Sequence, residues 1–158
     1  VEGGTGSFSH LELQPDTMPD KFEAGTPNLP GIAGLLAALE WIEETGMETI
    51  RKKEEVLGAL LLEGLLSLPG VLLSGRKTMD GRLSVFAVNF QGKDNGVLAA
   101  RLSDEWGIET RPGLHCAPLA HRTLGTFPDG ALRLSPGWFS TAEEVRQTVE
   151  ALKAVISS

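Results

Sequence analysis

A single cysteine, Cys116, occurs among the 158 residues of the sequence. One cysteine cannot form a disulfide within the chain, which fits a reducing compartment and leaves the thiol free for chemistry. No run of residues is long and apolar enough to span a bilayer, and no secretory signal is visible. We therefore expect a cytoplasmic protein without a membrane-spanning segment.

Positive charge is also scarce. The chain has 14 Lys and Arg residues against 21 Asp and Glu residues, which gives a net charge of −7 at neutral pH. Neither basic runs nor alternating aromatic and basic residues occur, so binding to nucleic acid or to an anionic membrane surface is not expected. One cysteine and three scattered histidines provide none of the usual metal-ligand spacings, so no metal site is expected either.

The rest of the composition, with 41% hydrophobic and 22% charged residues, is typical of a soluble globular domain. After residue 30, apolar residues recur at helical and strand spacings, and capping signals at residues 45–48, Asp94 and residues 140–144 mark helix starts. Predicted helices cover residues 31–46, 47–68, 95–107 and 142–156, and predicted strands cover residues 71–73, 83–90, 108–110 and 131–135.

These elements predict an α/β fold of the α+β two-layer kind, in which a small, mostly antiparallel sheet is covered by helices. Residues 83–90 are apolar on both sides of their alternation, so this strand is expected to be central and covered on both faces. The Asp80-Gly81 turn predicts a hairpin connection from residues 71–73.

Residues 1–30 are rich in glycine and proline and lack hydrophobic periodicity, which predicts a loop-rich segment. Within it, residues 3–7 (Gly-Gly-Thr-Gly-Ser) have two possible interpretations. They either bring backbone N–H groups and hydroxyls to a phosphate, or they form a plain flexible loop.

Residues 110–121 contain Cys116 and two of the three histidines. Proline and glycine interrupt regular structure on both sides of the cysteine, which predicts a stiffened loop. A thiol acts as a nucleophile in its thiolate form, which positive neighbours such as Arg111 or a protonated His115 would favour. The alternative is a small, buried, apolar cysteine. Adjacency alone does not make His115 its base, because adjacent side chains often point apart.

Arg133 lies inside an apolar strand, where a guanidinium needs an anionic partner. It either grips the carboxylate of a ligand in bidentate fashion or pairs with an Asp or Glu of this chain. His121 and Arg122 follow the cysteine loop, at the expected start of a helix, and surface roles are expected for both.

Several stretches resemble one enzyme family. Residues 22–28 and 30–35 look like the segment entering the small domain of class V aminotransferases. Residues 111–117 (Arg-x-Gly-x-His-Cys-Ala) resemble the active-site cysteine loop of the SufS/Csd-type cysteine desulfurases, and residues 133–135 and 139–145 resemble their C-terminal strand and helix. Together these matches cover nearly the whole chain in the expected order.

The resemblance implies the C-terminal part of a pyridoxal-phosphate enzyme of fold type I that works as a homodimer. Residues 1–30 would be a tail of the large cofactor-binding domain, and residues 31–158 would be the small domain. In that family a thiolate attacks the sulfur of a cysteine substrate held by the cofactor. Alanine and an enzyme-bound persulfide result, and the persulfide serves a sulfur acceptor.

The resemblance also implies roles for individual residues. Cys116 occupies the position of the nucleophile, and Arg133 matches the arginine that binds the substrate carboxylate. Arg111 matches a second arginine at the mouth of the site, and His115 belongs to the same substrate-binding motif.

A further implied role concerns the cofactor. Thr5, Gly6 and Ser7 correspond to residues that reach the cofactor phosphate of the neighbouring subunit.

Two departures from the family pattern stand out. The family usually has Ser or Thr where Pro112 stands, so one loop N–H and one hydroxyl are missing. The family's Schiff-base lysine follows a histidine, but no lysine of this chain does. The lysines are Lys21, Lys52, Lys53, Lys77, Lys93 and Lys153. We therefore expect the chain alone neither to hold the cofactor covalently nor to turn over.

Two other functions stay open from the sequence. One is a class V enzyme of a different reaction, such as an aminotransferase or a selenocysteine lyase. The other is a non-catalytic module that associates with itself through an exposed apolar face.

Overall fold

The computed structural model describes residue 4, residues 6–8 and residues 10–157. The chain divides into two compact units, Val1–Gly46 and Met47–Ser158. The predicted division into residues 1–30 and 31–158 rests on the family resemblance and stays a prediction.

The first unit contains one helix, α1 (Leu29–Thr45), within its described residues. The side chain of Asn28 accepts a hydrogen bond from the backbone N–H of Gly31 at 3.1 Å, which caps the first turn. Gly46, at φ +82°, ends the helix. None of the residues of α1 is buried, although the helix is rich in leucine and alanine.

The second unit contains four helices and three strands in its described part. They are α2 (Met47–Ser67), β1 (Val71–Leu73), β2 (Phe86–Phe90), α3 (Asn95–Trp106), α4 (Pro118–Leu124), β3 (Leu132–Leu134) and α5 (Ala142–Ser157). The strands form an antiparallel sheet of order β1-β2-β3, with Val88 opposite both Leu73 and Leu132. The predicted fold class and the central place of β2 are confirmed.

The core lies between the sheet and the helices. Phe86 and Val88 of β2 are fully buried, together with Leu132 of β3. They form one cluster with the buried faces of α2, α3 and α5, including Leu65 and Leu152. Because side chains alternate along a strand, the residues between these positions point to the opposite face of the sheet.

The helix boundaries follow the predicted caps in two cases. The Asp94 side chain accepts from Val97 N–H at 2.9 Å at the start of α3. At α5, Thr141 N–H donates to Glu144 Oε2 at 2.7 Å and Glu144 N–H donates to Thr141 Oγ1 at 3.2 Å. The capping box at residues 45–48 is wrong, because Thr45 is the last residue of α1.

Three strand predictions need correction. The strand at 83–90 begins only at Phe86, and Leu83 is 79% exposed. Its burial alternates, with Ala87 and Asn89 only half-buried, so the expected cover on both faces is wrong within this chain. Residues 108–110 form no strand; the pairing starts one residue later, at Arg111.

Candidate active site

Residues 111–113 pair with β3 in antiparallel fashion. Arg111 N–H donates to the Arg133 carbonyl at 3.2 Å, and Arg133 N–H donates to the Arg111 carbonyl at 2.8 Å. Gly113 and Ala131 exchange two further bonds, both of 3.1 Å. Residues directly opposite in an antiparallel pair have their side chains on the same face. The pairing therefore brings together Arg133, the predicted carboxylate-binding residue, and Arg111, the arginine predicted at the mouth of the site.

These two arginines lie on the face of the sheet that points away from the helices. Leu132 and Leu134 are buried in the core, and Arg133 lies between them in the strand alternation. Within the described part of the chain, neither Arg133 nor Arg111 donates a side-chain hydrogen bond or pairs with a carboxylate. The alternative in which Arg133 pairs with an Asp or Glu of this chain is thus not realised there. Like charges placed directly opposite destabilise a sheet, so an anion between them would be stabilising.

Cys116 lies on a tight turn formed by residues 114–117. Ala117 N–H donates to the Leu114 carbonyl at 2.9 Å, and the two central residues have positive φ, +52° at His115 and +60° at Cys116. The left-handed region costs a non-glycine residue about 1–2 kcal/mol. Such strain persists only where surrounding structure enforces it, and it concentrates at functional sites. Cys116 is exposed, so its alternative interpretation as a buried apolar cysteine is wrong.

Two glycines allow the turn to sit against β3. Gly113 has φ +104°, and Gly130 has φ +74°. A Cβ atom added to Gly130 would overlap the backbone of Gly113. Only glycine therefore permits this approach of the two backbones.

His115 is held by one of its two ring nitrogens. Its Nε2 lies 3.0 Å from the Ala131 carbonyl, and since a carbonyl only accepts, Nε2 carries the hydrogen. Burial lowers the pKa of His115 below its ordinary value of 6.5, and the charges of Arg133, His121 and Arg111 lower it further, against the opposing effect of the Ala131 hydrogen bond. His115 is therefore neutral near pH 7, and it does not supply the positive charge that a protonated ring would bring to Cys116. Its Nδ1 is buried and has no partner among the described residues.

His121 is buried, being only 5% exposed, so the surface role expected for it is wrong. Its Nδ1 lies 2.7 Å from Thr126 Oγ1, and its ring centroid lies 5.8 Å from that of His115. Arg122 is exposed, with its guanidinium 4.5 Å from the ring centroid of Phe127.

The sequence interpretation missed both the full extent of α4 and the pairing of His121 with Thr126. Pro118 in the first turn of α4 and Gly125, at φ +72° just after its end, are the signals that bracket this helix. No comparable signal in so short a helix predicts which of its side chains is buried.

The predicted phosphate-binding run belongs to the first unit. Thr5 lies outside the described residues. Gly6, at φ +73°, and Ser7 are exposed, and a Cβ on Gly6 would come within 2.9 Å of the Gly25 carbonyl oxygen. This part of the candidate site stays a prediction.

Other features of the described chain lie apart from this site. A cleft of about 580 Å³ between α3, α5 and the loop after β3 is lined by Trp106, Trp138 and Phe139, and by none of the predicted site residues. Within the described residues there is no group of three or more His, Cys, Asp or Glu side chains placed to hold a metal ion. None of the helices in that part of the chain combines the length and the apolarity that crossing a membrane requires.

Comparisons with known proteins identify the family of this chain. Residues 1–148 match the family described as aminotransferase class-V. Cysteine desulfurases of Shigella flexneri and of Salmonella typhimurium are 36% and 34% identical over 98% of this chain. The chain spans 37% of the length of each of these relatives.

Two solved structures are similar over nearly the whole chain. An apo cysteine desulfurase from Thermococcus onnurineus NA1 has a TM-score of 0.81 and 29% identity. The match covers 99% of this chain and 38% of the length of that structure's chain. The cysteine desulfurase CsdA (S-sulfonic acid) from Escherichia coli has a TM-score of 0.79 and 27% identity at the same coverage. From the family match over residues 1–148, this chain belongs to the class-V aminotransferases.

Proposed function

We propose that this chain is the cysteine-bearing part of a pyridoxal-phosphate-dependent cysteine desulfurase, which converts L-cysteine to L-alanine and leaves the sulfur as a persulfide on Cys116. The observation that carries the proposal is an exposed cysteine on a strained turn, which follows a strand pairing that sets two unpaired arginines opposite one another. The relatives named cysteine desulfurase support the choice of reaction.

Arg133 and Arg111 bind the carboxylate of the amino-acid substrate. Each guanidinium offers a planar pair of N–H donors that fits a carboxylate, and the anion relieves the repulsion between the two opposed cations. The charges of both arginines lower the pKa of His115, the residue that precedes Cys116. His115 contributes its free Nδ1, which accepts a hydrogen bond from a donor group of the substrate.

Cys116 performs the sulfur transfer. Its Sγ, as the thiolate, forms an S–S bond to the substrate sulfur while the substrate's carbon–sulfur bond breaks. The electron pair of the broken bond stays with carbon. The substrate thiol gives up its proton, and the carbon takes up one proton to give alanine, so that charge and protons balance. The product on the protein is the persulfide Cys116-S-S⁻, and its place on an exposed turn makes it accessible to a sulfur-acceptor protein.

Pyridoxal phosphate, when bound, supplies an electron sink for the substrate carbon. The residues of this chain fit a supporting role toward it. The unpaired arginines provide for the substrate. Thr5, Gly6 and Ser7 are proposed to reach the cofactor phosphate of the neighbouring subunit, and the exposure of Gly6 and Ser7 supports this role. The lysine that holds the cofactor is proposed to lie outside this chain, in a large domain of which residues 1–30 are the tail. A homodimer in the cytoplasm completes the proposal.

The first test replaces the nucleophile. In the full-length enzyme containing this chain, Cys116→Ala is expected to abolish formation of alanine and sulfide from L-cysteine and to leave the absorption spectrum of the bound cofactor unchanged. Cys116→Ser is the matched control for side-chain size and is expected to be equally inactive. Wild-type turnover in Cys116→Ala would contradict the proposal.

One observation favours a class V enzyme of a different reaction. Pro112 lies between Arg111 and Gly113, the two residues whose backbones pair with residues 133 and 131. The backbone nitrogen of Pro112 therefore points away from that pairing, and the N–H that proline lacks is not needed there. It does remove an outward N–H and hydroxyl that the family usually presents there. An aminotransferase or a selenocysteine lyase is indicated if Cys116→Ala retains activity on amino acids.

A further inference from the structure

A part-buried polar pair, His121 and Thr126, lies next to His115 of the Cys116 turn. His121, in α4, is 5% exposed, and its Nδ1 is 2.7 Å from the hydroxyl of Thr126. The backbone N–H of Thr126 also donates to the His121 carbonyl, at 2.9 Å. Burying an imidazole is unfavourable unless its polar atoms find partners. The Thr126 hydroxyl meets that requirement and fixes the orientation of the His121 ring.

His121 and Thr126 are connected to the Cys116 turn in two ways, through a ring contact and through the backbone. The rings of His121 and His115 lie 5.8 Å apart between centroids and are tilted by 46°. Through the backbone, the Thr126 carbonyl accepts from Gly130 N–H at 2.7 Å, and the next residue, Ala131, accepts the Nε2–H of His115. The side chain and the backbone therefore both connect the pair to the residue next to Cys116.

The turn needs such support. His115 and Cys116 are two successive non-glycine residues at positive φ, a conformation that relaxes unless neighbours oppose it. The His115 ring has one hydrogen bond to protein, through Nε2, and its Nδ1 has none among the described residues. A ring held at one atom is free to turn about that bond unless another group packs against it. His121 is that group.

We propose that His121, held by Thr126, is a positioning residue that keeps His115 and the Cys116 turn in the geometry required for sulfur transfer. The catalytic part of this inference rests on the proposed desulfurase function, whereas the effect on the geometry of the Cys116 thiol does not. A thiol displaced by about 1 Å from its attacking position loses on the order of 100-fold in rate.

The experiment compares threonine variants. Thr126→Val removes the hydroxyl and keeps the shape of the side chain, and Thr126→Ser restores the hydroxyl. Thr123→Val is the matched control, because Thr123 lies in α4 with His121 and its hydroxyl donates only to the Leu119 carbonyl, at 3.1 Å. His121→Asn keeps a hydrogen-bonding atom near the position of Nδ1 but removes the ring beside His115, and it serves as a second variant should Thr126→Val not fold.

Two readouts separate positioning from stability. In the full-length enzyme, Thr126→Val is expected to lower kcat for L-cysteine by about tenfold or more, with KM for the substrate nearly unchanged. In the same enzyme without substrate, the rate at which iodoacetamide alkylates Cys116, followed by the mass of the Cys116 peptide, is expected to fall by about threefold, because the loosened turn no longer holds the thiol in its exposed position. Thr126→Ser and Thr123→Val are expected to stay close to wild type in both assays, whereas His121→Asn, which lacks the ring beside His115, is expected to lose as much as Thr126→Val.

Wild-type kcat and alkylation rate in Thr126→Val would overturn the inference. Equal losses in Thr126→Val and Thr123→Val would overturn it too, since they would reflect general destabilisation of α4. If the wild-type enzyme does not desulfurate cysteine but Thr126→Val, unlike Thr123→Val, slows alkylation, the proposed function fails and the positioning role stands.

Discussion

At the residue scale, the site depends on two like charges that the backbone sets opposite one another. The need of Arg133 for an anion follows from the sequence, because a guanidinium sits between the apolar residues of a strand. That Arg111 faces it could not be predicted from the residues, since the register between residues 111–113 and β3 is a long-range pairing without a local pattern. The family resemblance proposed both arginines, and the structure places them on one face.

His115 makes a prediction about pH at this scale. Its pKa in the folded chain is lowered from 6.5 by burial first and then by neighbouring positive charge. As the pH falls below about 6.5, His115 therefore binds a proton more readily in the unfolded chain than in the folded chain. The free energy of unfolding should be at its full value above that pH and should decrease as the pH falls toward the lowered pKa.

Urea unfolding at a series of pH values measures this dependence. His115→Asn, a residue type that tolerates positive φ, removes the titrating group, and its stability is expected to vary less with pH below 6.5 than that of the wild type. An identical pH dependence in the two proteins would show that His115 titrates alike in the folded and unfolded chains.

At the element scale, caps and breakers in the sequence located most helices correctly. Asp94 and Thr141 start α3 and α5 as predicted because each offers a side-chain oxygen to an otherwise unpaired backbone N–H. The sequence located β2 less well. Its hydrophobic run begins at Leu83, but pairing begins only at Phe86, and apolar composition alone does not tell where a ladder starts. The short helix α4 is bracketed by Pro118 and Gly125, which are weaker signals than a side-chain cap.

Gly130 carries the prediction at this scale. Gly130→Ala combines a positive φ with an overlap against Gly113, so it is expected to destabilise the fold by more than about 1 kcal/mol. Gly125→Ala is the matched control, because Gly125 has a similar φ, +72°, and open space around it. The stability lost in Gly125→Ala measures the penalty of positive φ alone, and it is expected to be smaller than the stability lost in Gly130→Ala. Equal losses in urea unfolding would show that the contact with Gly113 contributes nothing.

At the scale of the whole molecule, the most informative feature is α1. Residues 29–39 of α1 have no charged side chain, and a helix that is apolar all round is normally buried in a larger protein. Yet Leu35, Leu36 and Leu39 are each more than half exposed. The chain also spans only 37% of the length of its curated relatives. Both facts support the proposal that further parts of the enzyme pack against α1. The sequence predicted the helix itself from its periodicity.

The most direct measurement is the mass of the Cys116 peptide after the full-length enzyme, loaded with pyridoxal phosphate, has reacted with L-cysteine and been digested without reductant. The account predicts that this peptide gains one sulfur atom, and that the gain is lost in Arg133→Gln, which cannot hold the substrate carboxylate in bidentate fashion. Release of sulfide and alanine with the Cys116 peptide unmodified at every time point would contradict the account.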